Sequence, residues 1–215
     1  MNEPLYIIGA GGHATSVAEI AFAADLNLKA FISLDSSATE LLGLPILRTI
    51  PQQDEMRSVK IAIAIGDNHQ RELVFNDLKN RFPMESFPAL IHPSASVALF
   101  ATIGFGTTIH QNAAIGSRSA IGNFCTLNSG SNTDHDCQLS DFSSLGPGAI
   151  LGGNVGLGTR SAIAIGATVR HGISIGPDSI LGAASYAHSD IAGNTVAFGS
   201  PARVVRLRNI GEKYL

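Results

Sequence analysis

The sequence predicts a small α/β domain of the half-Rossmann kind followed by a left-handed parallel β-helix of hexapeptide repeats. Three observations carry this. An aliphatic residue stands at fifteen of sixteen six-residue steps, with no slip of register, from Ile91 to Leu181. A small residue recurs four positions after it. The first ninety residues lack that period and instead alternate short apolar runs with helical ones.

The front part reads in order as follows. Leu5-Tyr6-Ile7-Ile8 is an apolar run, followed by the glycine turn Gly9-Ala10-Gly11-Gly12-His13 and helical content over residues 14–24. Residues 29–35 form a second strand ending on the carboxylate of Asp35, and residues 61–66 a third, apolar throughout as buried parallel strands are. Residues 68–82 read as a helix, because Leu73, Val74, Leu78 and Phe82 fall at three- and four-residue spacing. The order βα-β-βα is half of a doubly wound nucleotide fold. A glycine turn opening a helix can cradle a phosphate on backbone N–H groups. A dinucleotide would need a second half-fold, and the repeat occupies that sequence. A mononucleotide or nucleotide-linked sugar therefore fits better than NAD; a tight turn with no ligand is the alternative.

The repeat begins at Ile91, and fifteen of the sixteen positions at six-residue steps to Leu181 are Ile, Val or Leu. In fourteen cases the fourth residue on is Ala, Ser, Thr or Cys, with Val155 and Ile173 the departures. One side of a triangular coil needs a large inward aliphatic group and a small residue near the corner. Three such sides close one coil, and sixteen hexads give about five coils stacked at about 4.8 Å. Such stacking buries a continuous apolar column, as in solenoids. We divide the chain into residues 1–88, residues 89–203 and a tail, 204–215.

Composition excludes several classes. Net charge is −3 and there is no Lys/Arg run, which argues against a nucleic-acid surface. No apolar stretch approaches the ~20 residues of a membrane span. The first residues lack the basic region of a signal peptide. Two cysteines exclude a disulfide framework and fit a cytoplasmic location.

The one break in the column is Thr133, inside the polar run from Asn128 to Cys137. A polar break in an otherwise apolar repeat costs stability and points to function. His135 lies there between Asp134 and Asp136, and a neighbouring carboxylate raises imidazole basicity and fixes the tautomer. A neutral imidazole suits a general base. Gly153 follows His135 by three hexads and so stacks one coil away, where its backbone N–H could support an oxyanion. A solvated histidine on a polar face is the alternative. His92 and His110 also stack, but a metal centre of the γ-carbonic anhydrase kind needs three histidines, and no metal is expected. Cys125 and Cys137 hold the small corner position and read as inert fillers.

The ordered set Ile8-Gly9-Ala10-Gly11-Gly12-His13, Leu34-Asp35, Ala64-Ile65-Gly66-Asp67-Asn68, Asp134-His135-Asp136-Cys137, Gly152-Gly153-Asn154-Val155 and Phe198-Gly199-Ser200-Pro201-Ala202-Arg203 resembles the bacterial nucleotide-aminosugar N-acetyltransferases and the related sialic acid O-acetyltransferases. The resemblance implies a homotrimer with sites between neighbouring β-helices, acetyl-CoA along the coils, and a nucleotide-linked aminosugar held partly by the front domain. It implies His135 as base assisted by Asp136. It places Ser144, Gly153, Ile165 and Ala183 at the cofactor, and Gly11, Gly12, His13, Asp35 and Asn68 at the substrate. The family often has Glu where this chain has Asp136, a second carboxylate where it has Ser36, and in some members His where it has Ser144. The expected reaction is acetyl transfer to the 4-amino group of a UDP-linked 4-amino-4,6-dideoxy sugar in a ternary complex. A sugar O-acetyltransferase and a non-catalytic β-helix binding protein are the alternatives.

Overall fold

The protein is described by a computed structural model covering residues 3–48 and 59–214. Five strands form the first sheet: β1 (Leu5–Ile8), β2 (Leu28–Ile32), β3 (Glu40–Leu41), β4 (Leu44–Leu47) and β5 (Lys60–Ile63), in the order β3-β4-β2-β1-β5. Strands β4, β2, β1 and β5 run parallel. Helix α1 (Gly12–Ala23) follows β1, and α2 (Asn68–Leu78) follows β5. The order reverses between β1 and β5, so the crevice beyond their carboxyl ends is the place where open α/β sheets take ligands.

Two details differ from the sequence expectation. The hairpin β3–β4 is additional; its two-residue turn, Leu42-Gly43, has φ of 52° and 76°, the mirror-image turn that matches strand twist. Helix α2 stops at Leu78 rather than reaching residue 82. Pro83 pushes the residue before it out of the helical region, so the chain unwinds ahead of it.

From Leu90 the chain winds a triangular solenoid of seventeen two-residue strands, from Leu90–Ile91 to Tyr186–Ala187. Each strand pairs in parallel with its counterpart one coil on, as Leu127 pairs with Leu145 and Leu145 with Ile163. Three sheets result. We call the face beginning with Leu90–Ile91 the first, that beginning with Ser96–Val97 the second, and that beginning with Thr102–Ile103 the third. The inward residues Ile109, Leu127, Leu145, Leu151 and Leu181 are at most 1% exposed. Each such side chain contributes roughly 1.5–3 kcal/mol relative to exposure. At the corners, every sixth residue from Gly106 to Ala184 has φ between +53° and +66° or, at Gly172, +70°. The corner cysteines are buried, and burial pushes both thiols up, so neither offers a thiolate. The last coil is covered by a hairpin of strands Thr195–Gly199 and Ala202–Leu207, which crosses the expected boundary at residue 203. No helix among the described residues is long and apolar enough to cross a membrane.

The front domain docks on the edge where the third face meets the first. Phe124 and Phe142, on successive coils, stack with centroids 5.3 Å apart, and Phe75 of α2 lies 4.2 Å from Phe124. The buried Arg71 donates to the carbonyls of Phe124 and Phe142 on the solenoid and of Ile65 and Gly66 on the front domain. A buried guanidinium saturated by carbonyls fixes the orientation of the two parts.

Thr133 is 1% exposed, and its hydroxyl has no partner among the described residues. The polar break therefore lies inside the column, without a direct role in the turn that follows. An unsatisfied buried hydroxyl costs about 1–3 kcal/mol. Thr133→Val keeps the shape and removes that cost, so it raises the melting temperature, checked by thermal unfolding; a lower value would mean the hydroxyl is satisfied in solution.

Candidate active site

The catalytic candidates gather on the edge between the second and third faces. His135 and Asp136 form the turn after the strand Asn132–Thr133. Asp136 takes the left-handed corner position, φ 59°. The His135 N–H donates to Asp134 Oδ1 at 2.8 Å, and its carbonyl accepts from Asn154 N at 2.8 Å on the next coil. Asp134 thus fixes the backbone of the turn and makes no hydrogen bond to the ring among the described residues. The ring partner is Asp136, with Oδ2 2.7 Å from His135 Nδ1.

Asp136 is held from the other side by Arg118, one coil earlier. Arg118 Nε donates to Oδ1 at 2.7 Å and Nη2 to Oδ2 at 2.6 Å. Those bonds, and that to His135, bring the Asp136 carboxyl down to about 2. An ionised carboxylate only accepts, so the proton in the His135–Asp136 contact sits on Nδ1. That leaves Nε2 with the free lone pair, as a general base requires. The His135 side chain is 57% exposed in the single chain, open to a ligand.

Glycines make room for this turn on both sides. A Cβ on Gly153 would lie 2.6 Å from His135 Cε1 and 2.7 Å from Nε2, so the imidazole occupies the space a side chain would need. On the preceding coil, a Cβ on Gly116 would lie 2.5 Å from the Asp134 carbonyl carbon and 2.6 Å from His135 N. The Gly153 N–H donates to none of the described residues. A base and an unengaged backbone donor thus adjoin, which is the arrangement acyl transfer uses.

The remaining candidates lie elsewhere. The glycine turn caps α1 with Gly11 and Gly12 exposed and no side-chain cap; Ala14 N–H donates to the Gly11 carbonyl at 2.9 Å, while the N–H groups of Gly12 and His13 donate to none of the described residues. A Cβ on either glycine would meet nothing within 4 Å, whereas at Gly9 (φ +120°) it would meet the Ala64 carbonyl at 2.7 Å. Asp35 is exposed beyond the carboxyl end of β2, the same end of the sheet. His13, Gly66, Ser144, Ile165, Ala183 and Tyr214 line one cleft of about 500 Å³ between the front domain and the solenoid. The imidazole of His110, itself buried, lies beside that of His13 with ring centroids 5.7 Å apart, and burial lowers both to about 4. Neither ring's Nε2 has a partner among the described residues. No three His, Cys, Asp or Glu side chains gather as a metal site among the described residues.

Asn68 and Ser144 bond to each other at the seam between the front domain and the solenoid. Asn68 is 1% exposed and donates to Ser144 Oγ and to the carbonyls of Arg160 and Ser161, while accepting from Arg71. It fastens the front domain to the solenoid. The Ser144 hydroxyl lies between Asn68 and the Tyr214 hydroxyl, so it closes the cleft wall rather than projecting from it. Arg118 and Gly116 are additions to the site that the sequence reading lacks. Arg118 precedes Asp136 by one full coil, and the coil period alone would have found it.

Ile165 and Ala183 sit in turns on the edge between the first and second faces. His135 sits on the other edge of the second face. A six-residue side spans at most about 20 Å, so one protomer holds the two groups a full side apart.

Comparison with known proteins places these features in context. Residues 4–78 match the family described as the PglD N-terminal domain. The whole chain is similar to a histidine-to-alanine variant of GDP-perosamine N-acetyltransferase from Caulobacter crescentus, solved with CoA and GDP-perosamine. The identity is 32% and the TM-score 0.89, over 94% of this chain and 97% of that one. It is also similar to the acetyltransferase domain of PglB from Neisseria gonorrhoeae FA1090 in complex with acetyl coenzyme A, at 30% identity and a TM-score of 0.88, over 95% and 100%. WeeI from Acinetobacter baumannii AYE shares the fold at 23% identity and a TM-score of 0.77, over 95% and 100%. Among curated proteins, none matches significantly.

Proposed function

The chain belongs to the hexapeptide-repeat family of nucleotide-aminosugar acetyltransferases, and we propose that it acetylates the 4-amino group of a nucleotide-linked 4-amino-4,6-dideoxy sugar from acetyl-CoA. The observation that carries the reading is the His135–Asp136 pair with its imidazole lying over the side-chain-free Gly153. The amine lone pair attacks the thioester carbonyl carbon while His135 Nε2 takes a proton from the amine. Asp136 holds the Nδ1 proton as the ring becomes charged. The Gly153 N–H faces the developing oxyanion. Collapse breaks the C–S bond, and the imidazolium returns its proton to the departing thiolate. No covalent enzyme intermediate is needed, and the buried thiols of Cys125 and Cys137 take no part.

The front domain supports nucleotide binding through Gly11, Gly12 and His13 at the start of α1 and Asp35 beyond β2. Ile165 and Ala183 are the apolar surface we assign to the cofactor, beside Ser144 in the wall. Because they lie a full side of the prism from His135, a complete site draws on two protomers, which favours the homotrimer that the resemblance implies. Transfer to nitrogen is favoured over a sugar hydroxyl because a relative 32% identical is an N-acetyltransferase. UDP is the nucleotide expected from the sequence; that relative was solved with a GDP-linked sugar, so GDP is weighed alongside it.

A thermal-shift panel of UDP, GDP, dTDP, CMP and free sialic acid, each with and without CoA, tests the reading. Ligands that bind only the folded state raise the melting temperature, by about 2.7 kcal/mol of stability at a hundredfold excess over Kd. One nucleoside diphosphate and CoA are each expected to shift it, and the responding nucleotide names the nucleotide-linked sugar to assay as acetyl acceptor. A shift with CoA and sialic acid but with no nucleotide would replace this reading with O-acetylation.

A further inference from the structure

We propose that Arg118 is a positioning residue of the acetyl transfer, holding Asp136 so that its carboxylate meets His135 Nδ1. The inference rests on His135 being the base. Its geometric root is the coil. Arg118 and Asp136 occupy the same corner position on successive coils, with φ of 60° and 59°. Their backbones stack about 4.8 Å apart, so the two side chains leave the edge side by side. The guanidinium meets the carboxylate as a fork, at 2.7 and 2.6 Å, which fixes the carboxylate plane as well as its distance. Oδ2 is shared: it accepts from Arg118 Nη2 and faces His135 Nδ1.

A second pair in the same solenoid shows what such a rung does without a histidine. Arg160 and Asp178 likewise hold left-handed corners on successive coils, joined at 2.8 and 2.6 Å. There Arg160 extends to Glu72 of the front domain and fastens the two parts together. At Arg118–Asp136 the additional partner is the base itself. The same rung serves docking on one edge and orientation of a base on another.

Arg118 also balances charge. Asp134 and Asp136 lie on the turn of His135, Arg118 faces it from the preceding coil, the turn at residues 152–154 carries no titratable side chain, and Arg170 and His171 lie on the turn beyond, two coils away. Among the guanidinium groups on these turns, Arg118 is the one that bonds a carboxylate next to the imidazole and so offsets its charge.

The test is steady-state kinetics at neutral pH, with kcat and both KM values, for the wild type, Arg118→Gln, Arg118→Lys and His135→Ala. For Arg118→Gln, kcat falls about 10-fold at neutral pH, a fraction of the roughly 100- to 10,000-fold supplied by a general base. Both KM values stay within about twofold, as they do when only the transition state loses an interaction. Arg118→Lys keeps the charge without the fork, so kcat recovers only in part. Because the Arg118 side chain is 66% exposed, its loss leaves the melting temperature close to that of the wild type. A wild-type kcat in Arg118→Gln, beside an inactive His135→Ala, would overturn the role of Arg118 and leave the base in place. Full activity in His135→Ala would remove both.

Discussion

Replacing His135 with alanine lowers kcat by about 100- to 10,000-fold, the contribution of a positioned general base. The loss falls on kcat rather than KM, because the imidazole takes its proton only as the amine attacks. Stability is little changed. The side chain is exposed, and the turn is held through its backbone by Asp134 and Asn154, which alanine preserves. The measurement is steady-state acetyl transfer, followed as CoA release, alongside thermal unfolding. His135→Gln keeps a polar side chain of similar reach but offers no basic nitrogen, so it fails as fully as alanine. A variant that recovers with glutamine would show that position 135 orients a substrate by hydrogen bonding. A hydroxyl acceptor would depend on the base more steeply still, since a hydroxyl is a poorer nucleophile than an amine.

The repeat is the part of this molecule most legible in its sequence, because a solenoid writes its geometry as a period. Ile109, Leu127 and Leu145 recur once per coil because each must fill the same place in the column. The same arithmetic places Gly153 beside His135, and it would equally have placed Arg118 beside Asp136. What it does not reveal is which neighbour a corner side chain meets outside the column. Phe124 and Phe142 are one coil apart like any other such pair, yet their role depends on Phe75 arriving from a separate helix. Asn68 illustrates the same limit. It stands in a motif expected at the substrate, and its amide is spent on Ser144 and two solenoid carbonyls. Thr133 shows how a pattern can mark a region without marking the residue: the polar run surrounds the site, but the threonine itself points into the column and the proposed chemistry lies in the turn that follows. The two-strand hairpin β3–β4 is too short for any periodicity to announce it.

Gly153→Ala is the sharpest structural test of the site, because it adds one methyl group and removes no functional atom. The new Cβ would lie 2.6 Å from His135 Cε1 and 2.7 Å from Nε2, well inside van der Waals contact. The ring is the mobile partner in that clash, since His135 is exposed and its backbone is fixed on both sides. It swings away from the glycine, so Nε2 leaves its place above the coil or Nδ1 leaves Asp136. Displacing a reacting group by about 1 Å costs on the order of 100-fold, and that loss in kcat is expected here. The backbone itself tolerates alanine, because Gly153 is absent from the positive-φ positions that every sixth corner residue fills. The melting temperature therefore moves little. Gly156→Ala on the same coil is the control: its Cβ would meet nothing nearer than Ser174 Oγ at 3.5 Å, and activity should persist. If Gly153→Ala retains wild-type activity, the imidazole does not rest over this glycine in the working enzyme, and the geometry assigned to the base is wrong. If activity collapses while folding is intact, the absence of a side chain at position 153 is itself part of the catalytic apparatus.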